Sequence, residues 1–262
     1  MPEFGIAAVS MVPCRAEPSD ASEMVSQLLF GETFEILKKK EKWTQIRSSL
    51  DGYESWIDPK QYDIIDENAY EALSKLPHTC ASDLVQLIKD NEGDMIPIVA
   101  GSSLPNYKKG SIAFAGRNFE FDGELCHPEE GDLRTKIKEH ALTFRNAPYL
   151  WGGRSPFGVD CSGLTQVVFK MVGIAIPRDS SQQAEKGTTL SFVEEAEIGD
   201  LAFFDNDEGN IIHVGIIIAP ATIIHASGKV RIDKLDHQGI YNVDTKRYTH
   251  KLRLLRRLDE LM

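Results

Sequence analysis

The chain has 262 residues, 42% of them hydrophobic and 26% charged, which is the composition of a folded protein with one large domain or two to three small ones. Its net charge of -11, from 40 acidic against 29 basic residues, argues against general nucleic-acid binding and against adsorption to anionic lipid. No apolar run approaches the roughly 18 residues of a membrane span, and the N-terminal stretch lacks the pattern of a signal peptide. We therefore expect a cytoplasmic protein as the sequence stands, or a periplasmic or extracytoplasmic one if a signal peptide has been removed.

The first half of the chain has the alternating pattern of short β-strands. Around the turn signal Asp51-Gly52, the stretch "TFEILKKKEKWTQIRSSLDGYESWIDPKQY" alternates apolar and polar residues, which predicts a hairpin in a small barrel. The side chains expected to fill this barrel are Phe34, Ile36, Trp43, Ile46, Tyr53, Trp56 and Ile57. Residues 66–90 look helical with a break at Pro77, and short strands return from 94 to about 125.

The second half begins with a helical pattern and continues with strands. After Cys161, apolar residues recur at the spacing of a buried helix face, and Gly173 suits the end of that helix. That face comprises Leu164, Val167, Val168, Met171 and Val172. Strands are predicted in "DLAFF", "IIHVGIIIA", "TIIHASG" and "HKLRLLRRL". Helices followed by antiparallel strands predict a unit of the α+β class from about residue 128 to 262.

The four cysteines lie far apart and form no C-x-x-C pair, which disfavours a zinc knuckle and a disulfide framework. Cys14, Cys80 and Cys126 are expected to be buried and inert. Cys161 is different because a glycine-rich loop leads into it and a helix starts at it. The free N–H groups and partial positive charge of a helix N-terminus favour a thiolate, and the same N–H groups can hold an oxyanion.

Two histidines could complete a catalytic site with Cys161. In the strand "IIHVGIII", His213 shares a face with Gly215, which leaves room beside the ring, so His213 is the candidate base. His225 lies in the next predicted strand and is the candidate orienter that fixes the tautomer of the base. Taken singly, each residue has a structural alternative: a buried cysteine at a helix start, or a core histidine with a satisfied ring. The other histidines, at 78, 127, 140, 237 and 250, are expected to be solvent-facing or structural.

Four motifs in this order carry a resemblance to a known family. "YLWGGRSPFGVDCSGLTQVVF", "IGDLAFF", "HVGIII" and "IIHASG" resemble the NlpC-type family of papain-like cell-wall peptidases over about residues 128–262. In that family the cysteine attacks a peptide carbonyl, the first histidine is the base and a third polar residue orients it. The matching positions are Cys161, His213 and His225.

The upstream half extends the resemblance. "RAEPS", "EMVSQLLFGE" and "GYESWI" are similar to bacterial SH3-like domains that precede NlpC-type domains in γ-D-glutamyl-L-diamino-acid endopeptidases. The resemblance implies a papain-like C-terminal domain of the α+β class behind two small SH3-like β-barrel domains. The expected divisions are 1–65 for the first SH3-like domain, 66–93 for a helical connector, 94–127 for the second SH3-like domain and 128–262 for the peptidase domain.

The resemblance also implies a substrate, a murein-derived peptide L-Ala-γ-D-Glu-diamino acid with a free amino terminus. For the free ammonium, Asp160 is one expected carboxylate, although it also suits a helix N-cap, and Tyr53 matches the family's tyrosine, although it also suits the barrel core. Glu23 is the expected second acid, with Glu17 as its competitor. The remaining candidates are Ser162, Ser180, Arg154 and Arg178 for the α-carboxylate of D-Glu, and Tyr149 and Trp151 for the pocket wall.

Three other interpretations stay open at this point. A pure wall-binding SH3-like protein would leave the joint Cys and His pattern without a role. An amidase or acyltransferase could use the same papain-like fold. A metal site made from Cys161, His213 and His225 would need a fourth ligand or water, and the thiolate–imidazole pair explains the same residues without metal. We therefore expect no cofactor and no metal, a monomer, and either meso-diaminopimelate or L-Lys on the leaving side.

Overall fold

The computed structural model describes residues 2–75, 79–126 and 131–262. It divides the chain into two compact units. One comprises Met1–Pro128 with Trp151–Pro156, and the other comprises Glu129–Leu150 with Phe157–Met262. Within the described ranges, none of the helices combines the length and the apolar character that crossing a bilayer requires. Pro77, His78, His127 and the expected division between 127 and 128 lie outside the described residues, and the domain divisions remain predictions.

A seven-stranded antiparallel sheet forms the first part of the first unit, in the order β3-β2-β6-β5-β4-β1-β7. Its strands are β1 Glu3–Ala7, β2 Met11–Arg15, β3 Met24–Leu29, β4 Thr33–Lys39, β5 Thr44–Ser48, β6 Glu54–Ile57 and β7 Tyr62–Ile65. The predicted hairpin is confirmed, since Ile46 pairs with Ser55 across a turn that contains Gly52 at a φ of 73°. The predicted barrel core is confirmed only in part. Phe34, Ile46 and Ile57 are fully buried, and Ile36 and Trp56 are 8% exposed. Trp43 and Tyr53 are only half-buried and lie outside the buried cluster, so their assignment to the core is wrong.

A four-stranded sheet follows, and one helix precedes it. The helix α1 covers Glu67–Leu73, and the strands are β8 Val85–Asp90, β9 Met95–Val99, β10 Ser111–Phe114 and β11 Arg117–Glu120. The helical prediction is therefore right for α1 and wrong for β8. A short apolar run such as "VQLIKD" fits either structure, and antiparallel pairing of Val85 with Val99 across the turn at Gly93 makes it a strand.

One hydrophobic cluster spans the two sheets of the first unit. Phe30, in the turn after β3, makes edge-to-face ring contacts with Phe114 and Phe119 of the second sheet, with centroids 5.5 and 5.6 Å apart. The fully buried Ile88 and Ile98 lie in the same cluster. The second sheet therefore contributes part of the apolar surface against which the first one packs, and removing either would expose this cluster to water.

The second unit places its helices before most of its sheet. Its helices are α2 Leu133–Thr143, α3 Cys161–Met171 and α4 Ser180–Gln183. The chain also has the short strands β12 Arg154–Ser155 in the first unit and β13 Gly158–Val159 in the second. The α3 helix begins at Cys161 as predicted, every residue in it is buried, and Gly173 follows its end at a φ of 82°.

A seven-stranded antiparallel sheet completes the second unit, in the order β14-β20-β15-β16-β17-β18-β19. Its strands are β14 Thr188–Leu190, β15 Leu201–Asp205, β16 Ile211–Ala219, β17 Thr222–Ser227, β18 Lys229–Asp236, β19 Gly239–Asn242 and β20 Arg247–Arg257. The α3 helix packs against β16 and β17, the strands that carry the two candidate histidines. The predicted fold class is confirmed: small β-sheets come first, and helices then precede an antiparallel sheet.

Candidate active site

Cys161 occupies the first position of α3. The side chain of Asp160 caps this helix by accepting a hydrogen bond of 2.7 Å from the backbone N–H of Gly163. The Cys161 sulfur accepts hydrogen bonds from the backbone N–H groups of Ser162 and Val214. Val214 directly follows His213 in the chain. The thiol therefore lies at the point where the start of α3 meets strand β16, and two backbone donors converge on it.

Burial has a larger effect on the pKa of the Cys161 thiol than the backbone donors have. Cys161 is only 7% exposed, and burial together with the nearby Asp160 carboxylate raises the pKa of its thiol to about 11, although the two backbone donors and Arg178 act in the opposite direction. The sequence predicts a thiolate favoured by the helix terminus. Burial therefore opposes the thiolate that the helix terminus favours, so attack by this thiol would need a base to take its proton.

His213 and His225 are hydrogen-bonded neighbours on adjacent strands. Gly215 of β16 lies opposite His225 of β17, so the two rings are diagonal neighbours, and His213 Nε2 lies 2.9 Å from His225 Nδ1. Gly215 makes this possible, because a Cβ there would lie 2.9 Å from the His225 Cβ and 2.7 Å from Ile223 Cδ1. The expected pairing of a base with an orienting histidine therefore has the required geometry.

The chain of polar groups continues beyond His225 into strand β18. Asp233 Oδ2 lies 3.0 Å from His225 Nε2, and Arg231 donates hydrogen bonds to both oxygens of the same carboxylate, at 2.6 and 3.0 Å. His213, His225 and Asp233 are at most 5% exposed. A line of three buried groups thus runs diagonally across β16, β17 and β18 and ends at a partly buried arginine.

His250 lies against the ring of His213 from strand β20. The two rings are stacked with centroids 4.2 Å apart and planes 24° from parallel, and the Phe204 ring lies 5.7 Å from His213. Burial, together with the neighbouring His225 and His250, holds the pKa of His213 well below 6.5. The ring is therefore neutral at neutral pH and can accept a proton. Sequence reasoning assigns His250 no part near the site, and its stacking on His213 is a finding of the structure.

Three histidine rings form the one grouping of possible metal ligands among the described residues: His213, His225 and His250, with nitrogens within 4.8 Å of one another. Both ring nitrogens of His225 are already hydrogen-bonded, to His213 and to Asp233. The nearly parallel stacking of His213 on His250 also keeps their in-plane lone pairs from converging on one ion. The donor set therefore fits a hydrogen-bonded network better than a metal centre, and Cys161 is not part of the grouping.

Three of the candidate substrate residues of the second unit, Tyr149, Asp160 and Ser162, lie near Cys161. Asp160 is 4% exposed and forms a two-point ion pair with Arg178, at 2.6 and 3.1 Å, and Arg178 also donates to Ser162 Oγ at 2.8 Å. Burial, followed by the proximity of Cys161 and Asp160, raises the pKa of the half-buried Tyr149 to about 12. Tyr149, Asp160, Cys161 and Ser162 thus share one environment, while Ser180 begins the short helix α4.

The candidate substrate residues of the first unit fall into two groups. Trp151 is 59% exposed, and its indole N–H donates to Glu23 Oε1 at 2.6 Å. Arg154 is 2% exposed and its guanidinium is bonded to both oxygens of Glu32, at 2.7 and 3.0 Å. Tyr53 is half-buried and lines the small cavity that Arg154 also borders. Their roles toward a substrate remain predictions.

Besides His250, sequence reasoning missed two groups of residues at this site. Asp233 and Arg231 were missed because β18 was not predicted, although Gly228 between two β-branched runs is a hairpin signal that places Arg231 opposite His225. Gln183 was missed because nothing local marks it. It is fully buried, its Nε2 donates to the carbonyl of Ser162 at 3.1 Å, and its Oε1 accepts from Thr165.

Comparison with known families agrees with this geometry. Residues 146–250 match the NlpC/P60 family, and residues 14–61 match the bacterial dipeptidyl-peptidase Sh3 domain. The first match contains Cys161, His213 and His225, and the second contains Glu23 and Tyr53. The chain therefore combines a domain of each kind, as the sequence motifs predict.

Individual relatives extend over most of the chain. A γ-D-glutamyl-L-lysine dipeptidyl-peptidase of Bacillus cereus is 27% identical over 236 residues, which cover 79% of this chain and 68% of that protein. Dipeptidyl-peptidase 6 of Lysinibacillus sphaericus is 26% identical over 258 residues, 89% of this chain and 92% of that protein. The crystal structure of an NlpC/P60 family protein from Bacillus cereus has the same fold, with a TM-score of 0.79, 20% identity and coverage of 97% and 99%.

Proposed function

We propose, on the premise that this chain carries an NlpC/P60 cysteine-peptidase domain behind a bacterial dipeptidyl-peptidase SH3 domain, that it cleaves murein stem peptides. The bond is the one between γ-D-Glu and the diamino acid of L-Ala-γ-D-Glu-diamino acid. The products are L-Ala-γ-D-Glu and a peptide that begins with the diamino acid, as in the recycling of cell-wall peptides. The observation that carries the proposal is a buried cysteine at a helix N-terminus whose sulfur accepts from the backbone N–H of Val214, the residue after His213, which is hydrogen-bonded to His225.

In the first half of the reaction, the Cys161 sulfur attacks the γ-carbonyl carbon of D-Glu and His213 takes the thiol proton. The pKa shifts of the two groups fit this order, since the burial that raises the pKa of the thiol also lowers that of the imidazole. The S–C bond forms, the carbonyl electrons move onto oxygen, and a backbone N–H at the start of α3 would stabilise that charge.

The tetrahedral intermediate then collapses. Its C–N bond breaks, and His213 gives the proton to the leaving amine of the diamino acid, so that a thioester of Cys161 remains. Water attacks the thioester with His213 as the base, and the C–S bond breaks to release the dipeptide and restore the thiol. The overall reaction consumes one water and needs no redox partner.

Recognition of the free amino terminus is the part of the proposal that rests on sequence resemblance. Asp160 stays a candidate for the ammonium, although Arg178 already engages both of its carboxylate oxygens. Tyr53 and Glu23 stay candidates on the same basis. The guanidinium of Arg154 is held by Glu32. Any effect of Arg154 on the substrate would therefore be indirect, through the placement of residues 151–156.

The test is product analysis by mass spectrometry after incubation with L-Ala-γ-D-Glu-meso-diaminopimelate, its L-Lys counterpart, and N-acetylated forms of both. We expect release of L-Ala-γ-D-Glu from the free peptides and a sharply lower kcat/KM for the acetylated ones. Equal rates for free and acetylated peptides would remove the claim of amine recognition. Transfer to an added amine without hydrolysis would replace the proposed reaction with that of an acyltransferase, and release of alanine would show cleavage at the other peptide bond.

A further inference from the structure

Asp233 is a buried carboxylate that the proposed reaction does not use directly. It is 1% exposed, lies on β18 and carries four hydrogen bonds. Oδ2 faces His225 Nε2 at 3.0 Å and Arg231 Nε at 2.6 Å, and Oδ1 accepts from Arg231 and from the backbone N–H of Val243, both at 3.0 Å. Both oxygens are thus occupied from two sides, so the carboxylate is held in one orientation.

We propose that Asp233 is a positioning residue for the reaction, which fixes the tautomer of His225 and, through it, the tautomer of the base His213. This inference rests on the proposed function for its catalytic meaning, but the proton arrangement itself can be tested without a substrate. It assigns to β18 a part in the active site that neither the motifs nor the family comparison assigns.

The proton arrangement follows from the acceptors. An ionised carboxylate can only accept, so the proton of a neutral His225 must lie on Nε2, where it is donated to Asp233. The Nδ1 of His225 is then a bare acceptor, and the His213 Nε2 that lies 2.9 Å away must carry the proton of its own ring. His213 Nδ1 is left unprotonated, and a base requires one such nitrogen. One carboxylate thereby determines two tautomers in sequence.

Arg231 keeps the carboxylate ionised and balances its charge. Burial alone would raise the pKa of Asp233, but hydrogen bonds from His225, Arg231 and the Val243 amide outweigh it and hold the pKa well below its usual range. The pair of Asp233 and Arg231 has no net charge, so it orients His225 without supplying a full negative charge to it. A neutral histidine can accept a hydrogen bond through either of its ring nitrogens. Here the ion pair of Asp233 and Arg231 makes Nδ1 of His225 the nitrogen that accepts from His213.

The Asp233→Asn variant reverses the arrangement in a predictable way. At the Oδ1 position its amide nitrogen would oppose two fixed donors, Arg231 and the Val243 amide. At the Oδ2 position it would oppose Arg231 Nε and the His225 Nε2–H, and the second of these can be removed by a change of tautomer, so the Oδ2 position is favoured. An N–H there points at His225 Nε2, which must lose its proton to accept it. His225 then carries its proton on Nδ1 and donates to His213, whose own proton moves to Nδ1 and blocks the base.

The first experiment is ¹⁵N NMR of the histidine-labelled full chain without substrate, on wild type, Asp233→Asn and Asp244→Asn. Asp244 is the matched control because it is the other carboxylate bonded to Arg231, at 2.9 Å, and its side chain is 70% exposed. We expect the Nε2–H tautomer for His213 and His225 in wild type and Asp244→Asn, and the Nδ1–H tautomer for both in Asp233→Asn. Unchanged tautomers in folded Asp233→Asn, or Nδ1–H tautomers in wild type, would overturn the inference.

The second experiment measures kcat, KM and their pH dependence on the tripeptide. We expect Asp233→Asn to lower kcat about 10- to 100-fold with little change in KM, less than the roughly 10⁴-fold known for a carboxylate bonded directly to the base, because one ring intervenes. In a His225→Ala background, where no polar side chain links Asp233 to His213, Asp233→Asn should change kcat less than twofold. An equal loss in both backgrounds would mean that Asp233 acts only on the structure.

The two experiments separate the two claims. If wild type fails to cleave any of the tripeptides but shows the expected tautomers and their reversal, the proposed function fails and the positioning by Asp233 stands. If wild type cleaves and Asp233→Asn retains wild-type tautomers and kcat, the positioning role fails and the proposed function stands.

Discussion

The buried ion pair between Arg154 and Glu32 allows a quantitative test of how the first unit is held together. Arg154 lies in the 151–156 segment, which belongs to the first unit although it is distant in sequence from the rest of that unit. The side chains of Arg154 and Glu32 are 3% and 5% exposed, and the guanidinium also donates to the carbonyl of Gln27 at 2.6 Å. Glu32 in turn accepts from the backbone N–H of Leu29 at 2.9 Å.

Removing one member of a buried pair leaves the other charge without compensation, which costs about 3–5 kcal/mol. Arg154→Met should therefore lower the free energy of unfolding of the first unit by about that amount, more than a hundredfold in the equilibrium constant. The double variant Arg154→Met with Glu32→Gln should lose less than the sum of the two single variants, because it leaves no unpaired charge.

Tryptophan fluorescence during urea unfolding is the suitable assay, because the three tryptophans of the chain, Trp43, Trp56 and Trp151, all belong to the first unit. Arg47→Met is the matched control, since the Arg47–Glu54 pair lies in the same unit with both side chains 46% exposed, and its loss should change stability little. Equal effects of Arg154→Met and Arg47→Met, or strict additivity in the double variant, would refute the reasoning.

Three further predictions concern the second unit. Gly215→Ala should displace His225, because the new Cβ would lie 2.9 Å from the His225 Cβ. We expect a lower kcat and a free energy of unfolding that is lower by about 1–3 kcal/mol. Unchanged kcat and melting temperature would contradict this. His250→Phe should reduce the loss of folding stability as the pH falls from 6.5 to 4. Burial lowers the pKa of His250 to about 4 in the folded protein, so this histidine is protonated in the unfolded chain at a higher pH than in the folded one. Urea unfolding at several pH values measures this, and the same pH dependence in wild type and variant would argue against it. Alkylation of Cys161 by iodoacetamide, followed by mass spectrometry, should keep accelerating above pH 9, because burial raises the pKa of the thiol to about 11; a plateau below pH 7 would indicate a preformed thiolate.

The sequence could predict the local settings of Cys161, His213 and His225 because their signals are local. The start of α3 at Cys161 follows from Asp160 and the apolar spacing behind it, and the period of two in β16 separates the face of His213 from that of Ile212. Gly215 beside His213 was readable for the same reason. These features depend on neighbours within a few residues, where the periodicities of helices and strands hold.

The sequence could not predict what depends on register and on distant segments. The diagonal from His213 to Asp233 needs the pairing of three strands, and the stacking of His250 needs β20 to return beside β15. Arg154 was a candidate for a substrate carboxylate, but a carboxylate of the chain itself, Glu32, lies against its guanidinium. A local pattern shows which groups are available, and the fold decides which partner each one takes.

The central claim is that Cys161 is the nucleophile of a peptidase, and turnover by Cys161→Ser tests it most directly. Cys80→Ser is the control, because Cys80 is also a buried free thiol and lies in the first unit. With L-Ala-γ-D-Glu-meso-diaminopimelate and its L-Lys counterpart, we predict that Cys161→Ser has no measurable turnover and the circular dichroism spectrum of wild type, while Cys80→Ser retains turnover. Retained turnover by Cys161→Ser would contradict the account.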